Sequence, residues 1–226
     1  GWITAYTAID DPENFFRILT WSGNGSHDRA LTFDTTDTTM QPDLVWLKNR
    51  SSAANHAWLG TGLNTGEYLR SNGNQAETSG ADVLNSIDSN GFEIGSSGAI
   101  NNDSGDNYIA WCWKESATAG FDIVNYTGNE TARTISHSLS AVPEWMLPKA
   151  RSQAGFEWRL YHVGNTSAPE TDYLILNEDH ATVDGLNVFN DTAPTSSVFT
   201  VGDGETPNDD GTTYIAYLWT SKQGFS

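Results

Sequence analysis

The feature that most limits how this chain can fold is that its second half rewrites its first. Residues 108–114 read YIAWCWK and residues 214–220 read YIAYLWT. Each follows a loop rich in Asn and Asp, NNDSGDN in one case and PNDDGTT in the other. Self-similarity at a fixed spacing means one folding pattern made twice, so it is read before anything else. FRILTWSGN from Phe16 falls on FDIVNYTGN from Phe121, which sets Trp21, Gly23 and Asn24 on Tyr126, Gly128 and Asn129. Pro42, Lys48 and Arg50 fall on Pro143, Lys149 and Arg151, while Leu47 falls on Pro148 and alone changes type there. Trp58 falls on Trp158, YLRSN (68–72) on YLILN (173–177), and GFEIG (91–95) on VFTVG (198–202). The offset stays between 100 and 107, and the small gaps lie in polar stretches, where insertions are tolerated.

Each unit is thus about 105 residues, a common domain size. The division is a connector at 1–15, a first unit at 16–120 and a second at 121–224. Residues 225–226 open a third: Phe225 follows Phe121 by 104 residues, as Phe121 follows Phe16 by 105, so a longer array is expected. No window carries a sustained 3.6-residue apolar rhythm, and short β-rich runs alternate with Gly, Asn, Asp, Ser and Pro clusters. Strands are predicted at 16–21, 30–33, 44–49, 56–59, 67–71, 92–95 and 108–114. They recur at 121–126, 134–136, 144–150, 157–162, 172–176, 198–201 and 214–220. Seven or eight short strands per unit predict an all-β fold of two tandem antiparallel, jelly-roll-like β-sandwiches. Alternation sorts the aromatic strand into two faces, Tyr108, Ala110 and Cys112 on one and Ile109, Trp111 and Trp113 on the other. A helical turn is expected near 81–86. DDPENFF is read as a connector, with Asp10 or Asp11 able to cap a turn before Pro12.

The chain is rich in aromatics, with nine Trp, nine Phe and eight Tyr, enough to build a core although only 37% of its residues are hydrophobic. Its formal charge is −18 and its 11 Lys and Arg do not cluster, so neither nucleic acid nor an anionic membrane suits it as a partner. No apolar run approaches the roughly 20 residues that span a bilayer, and the opening residues have no secretory pattern.

Catalytic constellations are not apparent. His27, His56, His137, His162 and His180 show no metal-ligand spacing, and His56 and His162 beside Trp58 and Trp158 read as packing or surface residues. No Gly-x-Ser-x-Gly elbow or Gly-rich phosphate loop occurs. Cys112, in an apolar strand, reads as a small core residue. Paired carboxylates are inevitable among 29 acids and identify nothing by themselves. The loops at 101–107 and 202–211 offer oxygen ligands for Ca²⁺ but lack the spacing of a calcium loop. Tight turns need the same residues. Trp46, Trp58, Trp113, Trp158 and Trp219 are expected in the core, whereas Trp2 and Trp21 are left open. Loop aromatics could stack on sugar rings.

TWSGNGSHDRALTF, QPDLVWLKNRS, SNGFEIGS and YIAWCWK together resemble modules that recur in tandem in large structural proteins of tailed bacteriophages, especially from marine bacteria. KQGFS resembles the start of another module. The likeness covers nearly the whole chain and is weaker in the second unit, where WMLPKARS departs from the pattern. It implies an extracellular virion role, as tail fibre, spike or other exposed appendage. It also implies virion-protein partners, a host surface glycan and homo-oligomers, with a trimer expected. It supplies no catalytic, ligand-binding or metal residue, so a non-enzyme without a cofactor is expected, Ca²⁺ remaining the one candidate ion. A tail-associated glycan depolymerase, a secreted carbohydrate-binding or adhesion module and a capsid-decorating protein are the alternatives.

Overall fold

A computed structural model describes residues 7–34, 38–80 and 82–226. Trp2 and the first residue of the expected helical turn, Ala81, lie outside them. The chain is all-β. The first half runs β1 (Phe16–Ser22), β2 (Arg29–Thr32), β3 (Leu44–Asn49), β4 (Ala57–Gly60), β5 (Glu67–Tyr68), β6 (Thr78–Ser79), β7 (Ser86–Asp88), β8 (Gly91–Ile94) and β9 (Asn107–Trp113). The second runs β10 (Phe121–Thr127), β11 (Arg133–Ser136), β12 (Trp145–Ala150), β13 (Arg159–His162), β14 (Asp172–Ile175), β15 (Val183–Asp184), one helical turn α1 (Leu186–Phe189), β16 (Val198–Val201) and β17 (Thr213–Trp219). Among the described residues no helix is long and apolar enough to cross a membrane.

Two large antiparallel sheets form the centre, ordered β1-β9-β3-β4 and β10-β17-β12-β13-β14-β15. Strands aligned in sequence hold the same places in the order. Phe16 pairs with Trp113 and Phe121 with Trp219, which fixes the same register at both edges. The shape is dictated by alternation, because each central strand is apolar on both faces. Val45, Leu47, Ala110 and Cys112 point outward and meet Leu31, Phe92 and Ile94 of the small β2-β8-β7 sheet. Met146, Ala216 and Leu218 point outward on the other side and meet Ile135, Phe199 and Val201 of the β11-β16 pair. The inner faces pack on one another through Leu44, Trp58, Phe121, Leu147, Ile215 and Tyr217. Four layers result, with one core between each neighbouring pair.

The acidic loops are tied into this frame in the same way twice. Tyr108 Oη accepts from Asp103 N at 2.9 Å, and Tyr214 Oη from Asp209 N at 3.1 Å. Asn102 Oδ1 accepts from Asn24 N and Asn208 Oδ1 from Asn129 N, both at 3.1 Å. Gly23 and Gly128 are required there, since a Cβ would lie 1.9 and 2.0 Å from the carbonyl oxygens of Asp103 and Asp209. The stacks Trp21–Tyr108 and Tyr126–Tyr214, with centroids 5.5 and 5.2 Å apart, sit over these loops.

Some expectations need correction. No helix forms at 82–86; the chain turns there and Ser86 begins β7. The strand expected at 67–71 pairs only over Glu67–Tyr68, with Leu69 adding a single bridge to Trp58. Asp11 does cap a turn, its Oδ1 accepting from Glu13 N at 3.2 Å. Of the five tryptophans expected in the core, Trp58 and Trp158 are sealed, at 3% and 0% exposure. Trp46, Trp113 and Trp219 are only partly buried, because the inner faces of the two central sheets do not close completely.

Candidate functional site

The incomplete closure has a structural cause. The first half sends residues 60–77 across the inner face of the six-stranded sheet. Gly62 lies so close that a Cβ would meet Ile215 and Ile123 at 2.6 and 2.7 Å. Its carbonyl accepts from Asn125 Nδ2 at 3.0 Å. Glu77 accepts from Arg151 Nε at 2.7 Å and Nη2 at 3.1 Å, a bidentate pair with little exposure. Trp158 Nε1 donates to Arg70 O at 2.9 Å. Under this strap Lys149 is fully buried. Its Nζ donates to Ala150 O at 2.9 Å, and burial pulls its pKa down to about 8.

The second half has no matching strap. Its corresponding residues turn back to form β14 and β15 and widen their own sheet. Part of the inner face of the four-stranded sheet, along β1 and β9, therefore stays open. Ile18 is 51% exposed although its aligned partner Ile123 packs into the shared core, and Trp46, Ile109 and Trp111 are partly exposed.

Beside this uncovered stretch lies a tryptophan-lined cleft of about 370 Å³. Trp46, Trp58 and Trp113 of one sheet face Trp145, Leu147, Trp219 and the following Leu176 of the other. The rings brace one another: Trp46 lies 5.2 Å from both Trp58 and Trp111, and Trp113 lies 6.1 Å from Trp219. Trp46 and Leu176 also wall an adjoining hollow of about 480 Å³, whose other lining is polar: His56, Ser71, Asn72, Asn177, Glu178 and Asp179. Each volume falls within the usual ligand-site range of about 300–1,000 Å³. Trp46 is aimed by His56, whose Nδ1 accepts from the indole Nε1 at 3.1 Å. Accepting there requires the unprotonated nitrogen, and both burial and the Lys48 ammonium hold the His56 pKa below its ordinary value.

The remaining candidates do not converge on a reaction. Cys112 is sealed in the outer core, and burial drives its thiol pKa far up. His27, His137 and His162 make local contacts, to Ser96 Oγ, Leu139 N and Gly164 N. Asp106 accepts from Asn49 and Ser52, and Asp209 from Thr212, so these loop carboxylates are engaged in holding turns. Among the described residues, the His, Cys, Asp and Glu groups close enough for three to share an ion come down to Glu178, Asp179 and His180, all exposed. Sequence reasoning passed over Trp145 and Leu176 altogether. Alternation offered a signal for Trp145, which shares the inner face of β12 with Leu147.

A family described as Domain of unknown function (DUF7483) matches residues 11–226, across both aligned halves. No curated protein matches, and no solved structure does.

Proposed function

The chain belongs to that family, and we propose that it is a virion structural module of an exposed phage appendage, acting in recognition of host-surface glycan. The observation that carries the recognition role is the open tryptophan cleft. Trp46, Trp113, Trp145 and Trp219 stay partly exposed around one cavity. Flat apolar rings beside a polar rim suit a ligand with both apolar C–H faces and hydroxyl edges, and sugars have both. The virion setting rests on the resemblance of the repeated segments and on a strongly acidic surface that favours solubility. Other virion proteins and further copies of the chain are its partners in this reading. Mass spectrometry of gradient-purified particles, together with immunogold labelling, tests the setting. The chain is expected in stoichiometric amounts on the particle exterior; finding it only in the unassembled lysate fraction would sink the idea.

A further inference from the structure

Resting on that recognition role, we infer that the cleft binds a non-acidic pyranose chain, with one ring held at Trp46 and Leu176 and Glu178 and Asp179 excluding carboxylated or sulfated sugars. Trp46 and Leu176 are the walls common to the apolar cleft and the polar hollow. Those two walls are apolar, and the same hollow is lined by the side chains of Ser71, Asn72 and Asn177. That matches a pyranose, whose C–H face is apolar and whose equatorial edge carries hydroxyls.

Two further observations narrow the class. Trp58 Nε1 and Trp145 Nε1, both belonging to cleft walls, are sealed from solvent and have no acceptor. An unpaired buried donor is costly, so an occupant that brings oxygen acceptors, with a small shift of these rings, gains what a hydrocarbon occupant does not. The electrostatics then divide the saccharides. Glu178 and Asp179 line the rim, beside an exposed His180. His56 is held neutral, and the Lys48 ammonium already donates to Asn49 O and Ala54 O at 2.7 and 3.2 Å. With a chain charge of −18 and no free cation among the lining residues, an acidic sugar meets net repulsion, whereas a neutral or amino sugar does not.

The full chain, captured at high density on beads so that avidity reports weak sites, is to be probed with fluorescent cellohexaose, a glucosamine hexamer and an alginate hexamer. Binding of one or both non-acidic hexamers is expected, at least about tenfold above the alginate hexamer at low salt. Trp46→Ala should lower that binding by about tenfold or more. Glu178→Gln with Asp179→Asn, both on exposed side chains that folding does not need, should raise alginate binding selectively. Saccharide binding that ignores Trp46→Ala and the double variant overturns the cleft as the site while leaving glycan recognition standing. Preference for the alginate hexamer overturns the assigned class. No binding of any hexamer, with an unchanged thermal melt, overturns both the site and the recognition role.

Discussion

Lys149 and Glu115 are two residues whose charge the fold opposes. Lys149 is fully buried on the inner face, and its ammonium has one carbonyl partner in reach of a hydrogen bond. Burial lowers its pKa from 10.5 to about 8. The folded chain therefore releases this proton before the unfolded chain does, and the cost is complete below pH 8 and relieved between about 8 and 10.5. A shift of that size corresponds to at most about 3 kcal/mol. Lys149→Met keeps the volume and removes the charge, so it should raise the unfolding free energy at pH 7 by about 1–3 kcal/mol. The gap to the native chain should narrow between pH 8 and 10, which urea titrations at both values would measure. Glu115 works in the opposite sense. Burial, a hydrogen bond with Asp122 and the charges of Asp122 and Asp43 raise its pKa to about 7. The folded chain keeps this proton longer than the unfolded chain, so the contribution falls as pH rises from 4.5 to about 7. That burial is only partial and the residue keeps substantial contact with solvent, which makes the effect modest. Glu115→Gln should flatten that decline in a series of thermal melts from pH 5 to 7.5, and an unchanged slope would count against the assignment.

Among the elements, the strap at residues 60–77 decides the most. It has little secondary structure of its own, only β5 and the start of its pairing with β6, and it is held by contacts to the other half. Glu77 anchors it through Arg151, with its own amide donating to Arg151 O at 2.7 Å. Glu77→Ala would leave the guanidinium in a mostly buried site without its carboxylate, so a loss of about 3 kcal/mol is expected. Glu77→Met combined with Arg151→Met should cost less than Glu77→Ala alone, because no charge is then stranded. Hydrogen exchange should rise first at residues 61–80 in the single variant. The sequence made the strands around this strap legible and left the strap itself dark. Residues 44–49 and 198–201 were readable to the residue because a short β-rich run bounded by polar turn residues is a local signal. The course of Gly62, Asn74 and Glu77 depends on partners 63 to 83 residues away, and no local pattern encodes those. The pairing of β12 with β13 likewise stops at Met146, two residues before Pro148, which has no N–H to offer.

At the scale of the whole molecule, the candidate site is a consequence of two halves of matching strand order packing unequally. The sequence displayed the aligned segments, and it placed Trp46, Trp113 and Trp219 in the core and not at an opening. What it could not display was that one inner face is strapped and the other left partly open, since Ile18 and Ile123 occupy equivalent positions and end in different surroundings. The same packing makes the halves interdependent. The shared core takes Leu44, Trp58, Leu63 and Leu69 from one and Phe121, Leu147, Trp158, Leu160, Ile215 and Tyr217 from the other. A half released from its partner would expose several aromatics, each burying roughly 150–250 Å², and that exceeds the patch a soluble monomer normally tolerates. Residues 1–120 and 121–226 expressed separately should therefore bind an apolar dye strongly and lack a sharp denaturant transition, whereas the intact chain should unfold in one step. Mixing the two fragments should restore the transition at a midpoint that rises with concentration, as association requires. A cooperative transition with native near-ultraviolet ellipticity in either fragment alone would show that the shared core is not needed, and that the cleft lies between two independently stable sandwiches.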